Sequence, residues 1–122
     1  MWYCAHAIFY FELINENQES YLIHENIYLI NSEEGEIENF ARKIAIENQD
    51  LNEDGSIELN DKKVRYIFAG IRKIIETETL PLGNEISAPN GIELSYSIYE
   101  VESIEDVKKL ASGEMVNILY RE

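Results

Sequence analysis

Cysteine is nearly absent: Cys4 is the only one, so no disulfide can close within the chain. That usage suits a reducing compartment, and the expected location is cytoplasmic. Cys4 sits in an apolar stretch and reads as a small buried hydrophobe. Basic residues are scarce too, 10 Lys and Arg against 24 Asp and Glu, for a net charge of −14. Binding to phosphates requires cations that displace counterions, so nucleic acid and anionic membrane are not expected as partners. Long apolar runs are missing. The longest, such as residues 7–11, are strand-sized, far short of the roughly 20 residues of a membrane helix. No Lys or Arg precedes an apolar core at the start, so no secretory leader is expected. Glycines such as Gly83, Gly91 and Gly113 are isolated, which leaves no phosphate-cradling loop.

What is present suffices for one core. Apolar residues make up 45% of 122, with eight Tyr and four Phe, so residues 1–122 form a single domain that needs no metal or disulfide. Residues 2–14 alternate two largely apolar sets and predict a strand that is central or covered on both faces. Ala5 and Ala7 leave room for a helix on their side. Residues 15–18 have turn composition, and residues 19–30 predict the returning strand of a long hairpin. With the turn at Glu16-Asn17, partner numbers sum to about 33.

Ser32 is placed as a helix N-cap, with Glu33, Glu34 and Glu36 in the first turn, where the helix dipole favours acids. Ile37, Phe40, Ala41, Ile44 and Ala45 form one stripe, predicting a helix to Asn48 that buries Ile37, Phe40, Ala41 and Ile44. Residues 51–55 are a polar turn, Ile57 and Leu59 a short strand, and Asn60-Asp61 a hairpin turn into a strand over residues 62–75. There Val64, Tyr66 and Phe68 share a face. Ile71, with Lys73 and Ile75 after it, takes the other parity, so a bulge or close helix approach is expected at Ala69-Gly70. Residues 76–89 are irregular, and Asn90-Gly91 marks a turn. Residues 92–101 predict a strand with Leu94, Tyr96 and Ile98 on one face. Ser103 with Asp106 resembles a capping box, Val107 and Leu110 a short stripe, and Gly113 a C-cap. Residues 115–120 predict a last strand. The fold class is α+β: a mainly antiparallel sheet of five or six strands with two helices, in the order ββαβββαβ.

The Trp2-Tyr3 opening with Ala5, the strand over residues 25–30 leading into Ser32-Glu33-Glu34, and a helix with Ala41 and Ala45 are features of a known type. With the Asn52-Glu53-Asp54-Gly55 turn and the strand Val64-Arg65-Tyr66-Ile67-Phe68-Ala69-Gly70-Ile71, the chain resembles the bacterial family called domain of unknown function 4288, over about residues 2–100. The resemblance implies no activity and no catalytic residues. In size and acidity the chain is also similar in type to immunity proteins that neutralise bacterial toxins.

Catalytic and metal sites are not expected, and neither is a cofactor. His6 and His24 sum to 30, about three residues out of register and roughly 10 Å apart at ~3.4 Å per residue, too far to share a metal. Each reads as a strand histidine with a satisfied ring. Cys4 and His6 share a face, but nothing nearby in sequence orients the imidazole. The Asn52–Gly55 turn lacks the ligand ladder of a calcium loop. Lys62, Lys63 and Arg65 are too few to bind nucleic acid against −14. The expected function is therefore protein binding, as an immunity protein against a basic toxin such as a nuclease. The residues expected to contact it are Glu47, Asp50, Glu53, Asp54, Glu58 and Asp61, with Tyr21, Tyr96 and Tyr99 as exposed aromatics. The alternative is a regulatory or structural module that forms homo-oligomers through sheet edges; a small enzyme ranks below both.

Overall fold

The computed structural model describes residues 1–14, 17–77 and 91–120. Its elements are β1 (Trp2–Leu13), β2 (Tyr21–Asn31), α1 (Ile37–Asn48), β3 (Glu58–Leu59), β4 (Lys62–Thr77), β5 (Ile92–Val101), α2 (Ile104–Ala111) and β6 (Leu119–Tyr120). They build one antiparallel sheet in the order β3-β4-β1-β2-β5-β6, with two-residue strands at both edges. This is the α+β class and element order that the periodicities predict. Asn15 and Glu16 of the first turn, most of the irregular segment, Asn90 and the last two residues lie outside the described residues. No helix among the described residues is long and apolar enough to cross a membrane.

The hairpin register is the expected one, with Trp2 opposite Asn31 and Tyr3 opposite Ile30. Because side chains alternate, β1 sends Tyr3, Ala5, Ala7 and Phe9 to one face and Ile8 and Tyr10 to the other. The first face packs on α1 through Ile37, Ala41 and Ala45. Alanine meeting alanine lets the helix lie close to the sheet. Phe9, fully buried, stacks on Tyr66 at 4.6 Å and 5°. Burial of such a ring stabilises by about 1.5–3 kcal/mol. The second face, with Ile23, Tyr99 and Val101, packs on Val107, Leu110 and Ala111 of α2. The helices therefore cover opposite faces, and β1 is enclosed between them.

β4 carries two irregularities where one was expected. Ile8 faces Gly70 and Phe9 faces Phe68, so Ala69 is an extra residue; His6 faces Lys73 and Ala7 faces Ile71, so Arg72 is another. Each insertion reverses parity, and the two cancel. Tyr66, Phe68, Ile71 and Ile74 consequently all reach the α1 face. Ile75, expected to follow Ile71, is instead 46% exposed. β5 is also bulged, since Ile27 faces Ser95 while Tyr28 faces Glu93, which breaks the expected Leu94-Tyr96-Ile98 face at Leu94.

Two expectations about α1 need correction. Ser32 does not cap it: its N–H donates to the Met1 carbonyl at 3.0 Å and prolongs the hairpin, while residues 33–36 make a separate turn. The helix begins after Gly35, with Glu36 at the N-cap position and no side-chain cap. Phe40 is 37% exposed, because the buried stripe centres on Ile37, Ala41 and Ala45 and leaves Phe40 on its flank. At α2 the local signals hold: Ser103 Oγ accepts the Asp106 N–H at 3.2 Å, and Gly113 takes φ +88° just beyond the helix. The strand expected over residues 115–120 is confined to Leu119–Tyr120.

Candidate functional site

The acidic turn after α1 is built around a buried asparagine. Asn52 holds φ +59° and is 6% exposed. Its Nδ2 donates to the carbonyls of Ile57 (3.0 Å) and Val64 (2.8 Å), and its Oδ1 accepts the Ile57 N–H at 3.2 Å. Asp50 Oδ1 accepts the Asn52 N–H at 2.7 Å, and the Asp50 backbone pairs with Tyr66. Asp54 Oδ1 accepts from both Oγ and N–H of Ser56, which holds its carboxyl below the usual range. These bonds gather Asp50, Glu53 and Asp54 around a depression of about 490 Å³ shared with Ile46, Gln49 and Leu51. Ile46 and Leu51 are about half exposed within this acidic rim. Glu47, Glu58 and Asp61 are solvent-facing but line no part of the depression.

The three tyrosines separate. Tyr96 is 58% exposed. Tyr21 is half-buried, edge-on to Tyr10 at 5.9 Å. Tyr99 is not a surface aromatic: at 4% exposure it lies under α2, opposite Ile23 of β2. β5 turns this residue to the covered face, and no partner can reach it.

Tyr99 instead serves a buried carboxylate. Its hydroxyl donates to Glu25 Oε1 at 2.7 Å. Glu25 Oε2 meets His6 Nδ1 at 2.7 Å and accepts Arg72 Nη2 at 2.6 Å and Nε at 3.2 Å. Burial raises the Glu25 pKa, but the bonds from Arg72, Tyr99 and His6 outweigh it and hold the carboxyl below its ordinary value. Arg72 is the extra residue of the second bulge, and that insertion aims its guanidinium at β2. Glu25 thus orients the His6 imidazole, which sequence reasoning did not foresee. No hydrogen bond joins Cys4 to that ring among the described residues, and burial pushes the Cys4 thiol up, away from the reactive thiolate.

A second polar group lies on the opposite face, beside the C-terminal end of α1. His24, Asn26 and Tyr28 alternate along one side of β2 and line a cavity of about 580 Å³ with Asn48, Tyr66, Gly91 and Glu93. Asn26 Nδ2 donates to the hydroxyls of Tyr66 (3.1 Å) and Tyr28 (3.3 Å), and Asn48 Nδ2 donates to Tyr28 at 3.0 Å. Tyr66 Oη and His24 Nδ1 are 2.9 Å apart. Burial raises the Tyr66 and Tyr28 phenols and lowers His24, so the imidazole is held neutral. Among the described residues two buried side-chain atoms have no hydrogen-bond partner: His24 Nε2 and Asn26 Oδ1. A buried polar atom without a hydrogen bond costs about 1–3 kcal/mol, so a pair of them in one cavity calls for an explanation. The satisfied ring expected for His24 is thus satisfied on one nitrogen only.

No family model, curated protein or solved structure matches the chain. The resemblance to domain of unknown function 4288 rests on the residues quoted for it, and function has to be argued from the sites themselves. His6 and His24 lie on opposite faces of the sheet, so the out-of-register argument against a shared metal is joined by a layer of backbone between them. The His24-Asn26-Tyr28 alternation was the available sequence signal for the cavity: three polar-tipped residues in succession on one face of β2.

Proposed function

We propose that this chain is an acidic protein-binding module that occupies a cationic surface on its partner, and specifically an immunity protein that neutralises a cognate toxin. The observation that carries the reading is the depression where Asp50, Glu53 and Asp54 surround the half-exposed side chains of Ile46 and Leu51. Carboxylates at the rim speed encounter with a basic protein, and apolar side chains at the floor supply contact area that charges alone do not. A partner Arg or Lys suits such a place, since its stem packs on apolar surface while its head meets carboxylates. The field of −14 over the whole chain acts in the same direction. The test is a pull-down with the immobilised protein. Recovery of a basic toxin domain whose activity is inhibited at one-to-one stoichiometry supports the reading. A toxin retained equally by a variant with Leu51→Asp and Glu53→Lys rejects this surface.

One observation favours the homo-oligomer reading. Among the described residues β6 pairs only with Tyr99 and Glu100, so the outer edge of β5 before them has no strand beside it, and Ile92, Leu94 and Tyr96 are exposed there. Sedimentation across a concentration series tests it: a mass that stays monomeric up to the highest concentration removes the edge as an interface.

A further inference from the structure

We propose that the cavity between β2, β4 and the end of α1 binds a small neutral molecule that presents a carbonyl beside an N–H, the edge shared by carboxamides, lactams and nucleobases, and that His24 and Asn26 read that edge. The cavity shares no lining residue with the acidic depression. Its volume of about 580 Å³ falls in the range of small-molecule pockets, roughly 300–1,000 Å³.

Hydrogen-bond bookkeeping selects the ligand class. The Tyr66 oxygen accepts from Asn26, and among the described residues His24 Nδ1 is the acceptor within reach of the hydroxyl hydrogen, which is therefore directed to it. A neutral imidazole that accepts at Nδ1 carries its proton on Nε2, and Nε2 is the unpartnered atom. It is a donor. Asn26 uses both amide hydrogens on Tyr28 and Tyr66, which leaves Oδ1 as a free acceptor. The two residues stand two apart on one face of β2, and both bond the Tyr66 phenol, so their unpartnered atoms belong to one group of side chains. Asn26 is buried, at 5% exposure, so its orphan oxygen is not a surface accident. An anion is disfavoured by Glu93 in the wall, and a cation has nothing to give His24 Nε2–H. A carbonyl for His24 and an N–H for Asn26 fit both. Solvent does not reach either atom, so entry requires a side chain to swing outward. Tyr96, 58% exposed and edge-on to the His24 ring at 5.0 Å, is the one placed to do so.

The experiment uses the whole chain and imidazole NMR, which is simple here because His6 and His24 are the only histidines. Uracil and nicotinamide are the probes, one a lactam and the other a primary carboxamide; 1,3-dimethyluracil, which lacks any N–H, is the control. The expected result is a saturable shift of the His24 ring with uracil or nicotinamide, no change at His6, and no response to 1,3-dimethyluracil. Whichever probe binds more tightly names the source of the edge. His24→Phe keeps a ring against Tyr96 and removes the donor, and is expected to weaken binding roughly tenfold. Asn26→Asp, which keeps the side chain's shape, is the second variant and is expected to weaken it as well; wild-type thermal unfolding of either variant separates loss of the site from loss of the fold. No saturable shift at millimolar probe, an equal response to the dimethylated control, or a crystal structure with ordered water on both atoms and no probe bound, overturns the proposal.

Discussion

Gly70 of β4 lies against Ala111 of α2 so closely that a Cβ on Gly70 would stand 3.1 Å from the Ala111 Cβ and 3.2 Å from its carbonyl oxygen. The bulge at Ala69 places this glycine where the helix crosses, and the absent side chain sets the distance between helix and sheet. Gly70→Ala is expected to push α2 outward and cost about 1 kcal/mol, and Gly70→Val about 1–3 kcal/mol, as overpacking does. Urea titration measures it. Wild-type stability in Gly70→Val would show that α2 is not held at this distance.

Acid should unfold the protein in two stages. His24 has its folded pKa lowered below 6.5 by burial, so the unfolded chain takes up the proton first and stability falls as pH drops below 6.5. Glu25 is held below its ordinary 4.5 despite burial, by Arg72, Tyr99 and His6, so its contribution is present above 4.5 and is lost as pH falls through the folded value. His24→Phe should remove the upper stage and leave the lower. A stability-pH curve unchanged above pH 5 in that variant would refute the assignment.

Removing the guanidinium should matter more than its partial exposure suggests. Arg72→Ala leaves the Glu25 carboxylate buried with only Tyr99 and His6, and breaking a buried pair costs about 3–5 kcal/mol, with the lower end expected here because those two bonds remain. Arg72→Ala combined with Glu25→Gln should recover part of the loss. If the double variant is no more stable than the single one, the buried charge is not the cause.

Asn52 is the keystone of the acidic turn. Asn52→Ala removes three hydrogen bonds and places alanine at φ +59°, an expected loss of about 3 kcal/mol. Amide hydrogen exchange in residues 50–57 should rise in parallel. Unchanged exchange there would mean that the turn is ordered by something else.

Kinetics separate a steering surface from a solvated one. Asp50 and Asp54 brace the turn through Asn52 and Ser56, so Glu53→Lys with Asp54→Asn changes charge while keeping the Ser56 cap. With a purified basic partner this variant should associate more slowly, and the gap should close as salt shortens the reach of charge from about 10 Å at 0.1 M to about 3 Å at 1 M. Wild-type association across the salt series would reduce the acidic rim to ordinary surface.

Much of the architecture was decided by short-range chemistry and is therefore legible along the chain. The alternation of β1, the hairpin register, the Ser103 cap, the left-handed Asn60-Asp61 turn and the parity change at Gly70 each depend on residues within a few positions of one another. The acidic rim after α1 belongs partly to this class: Asp50, Glu53 and Asp54 are near neighbours, whereas Glu58 and Asp61 share their composition but not their location. Only the tertiary structure decided the rest. Sequence periodicity could not say that a second bulge at Arg72 would cancel the first, that Phe40 would fall on the flank of its stripe, or that Tyr99 would be roofed by α2. Arg72 and Glu25 are 47 residues apart and Tyr99 and Glu25 are 74 apart, so their contacts exist only once β4, β2 and β5 are side by side. The same holds for Tyr66 and His24, 42 residues apart. A side chain's face is written in its neighbours, but its partner is set by which strands the sheet brings together, and a polar atom is left unpartnered only when that assembly is complete.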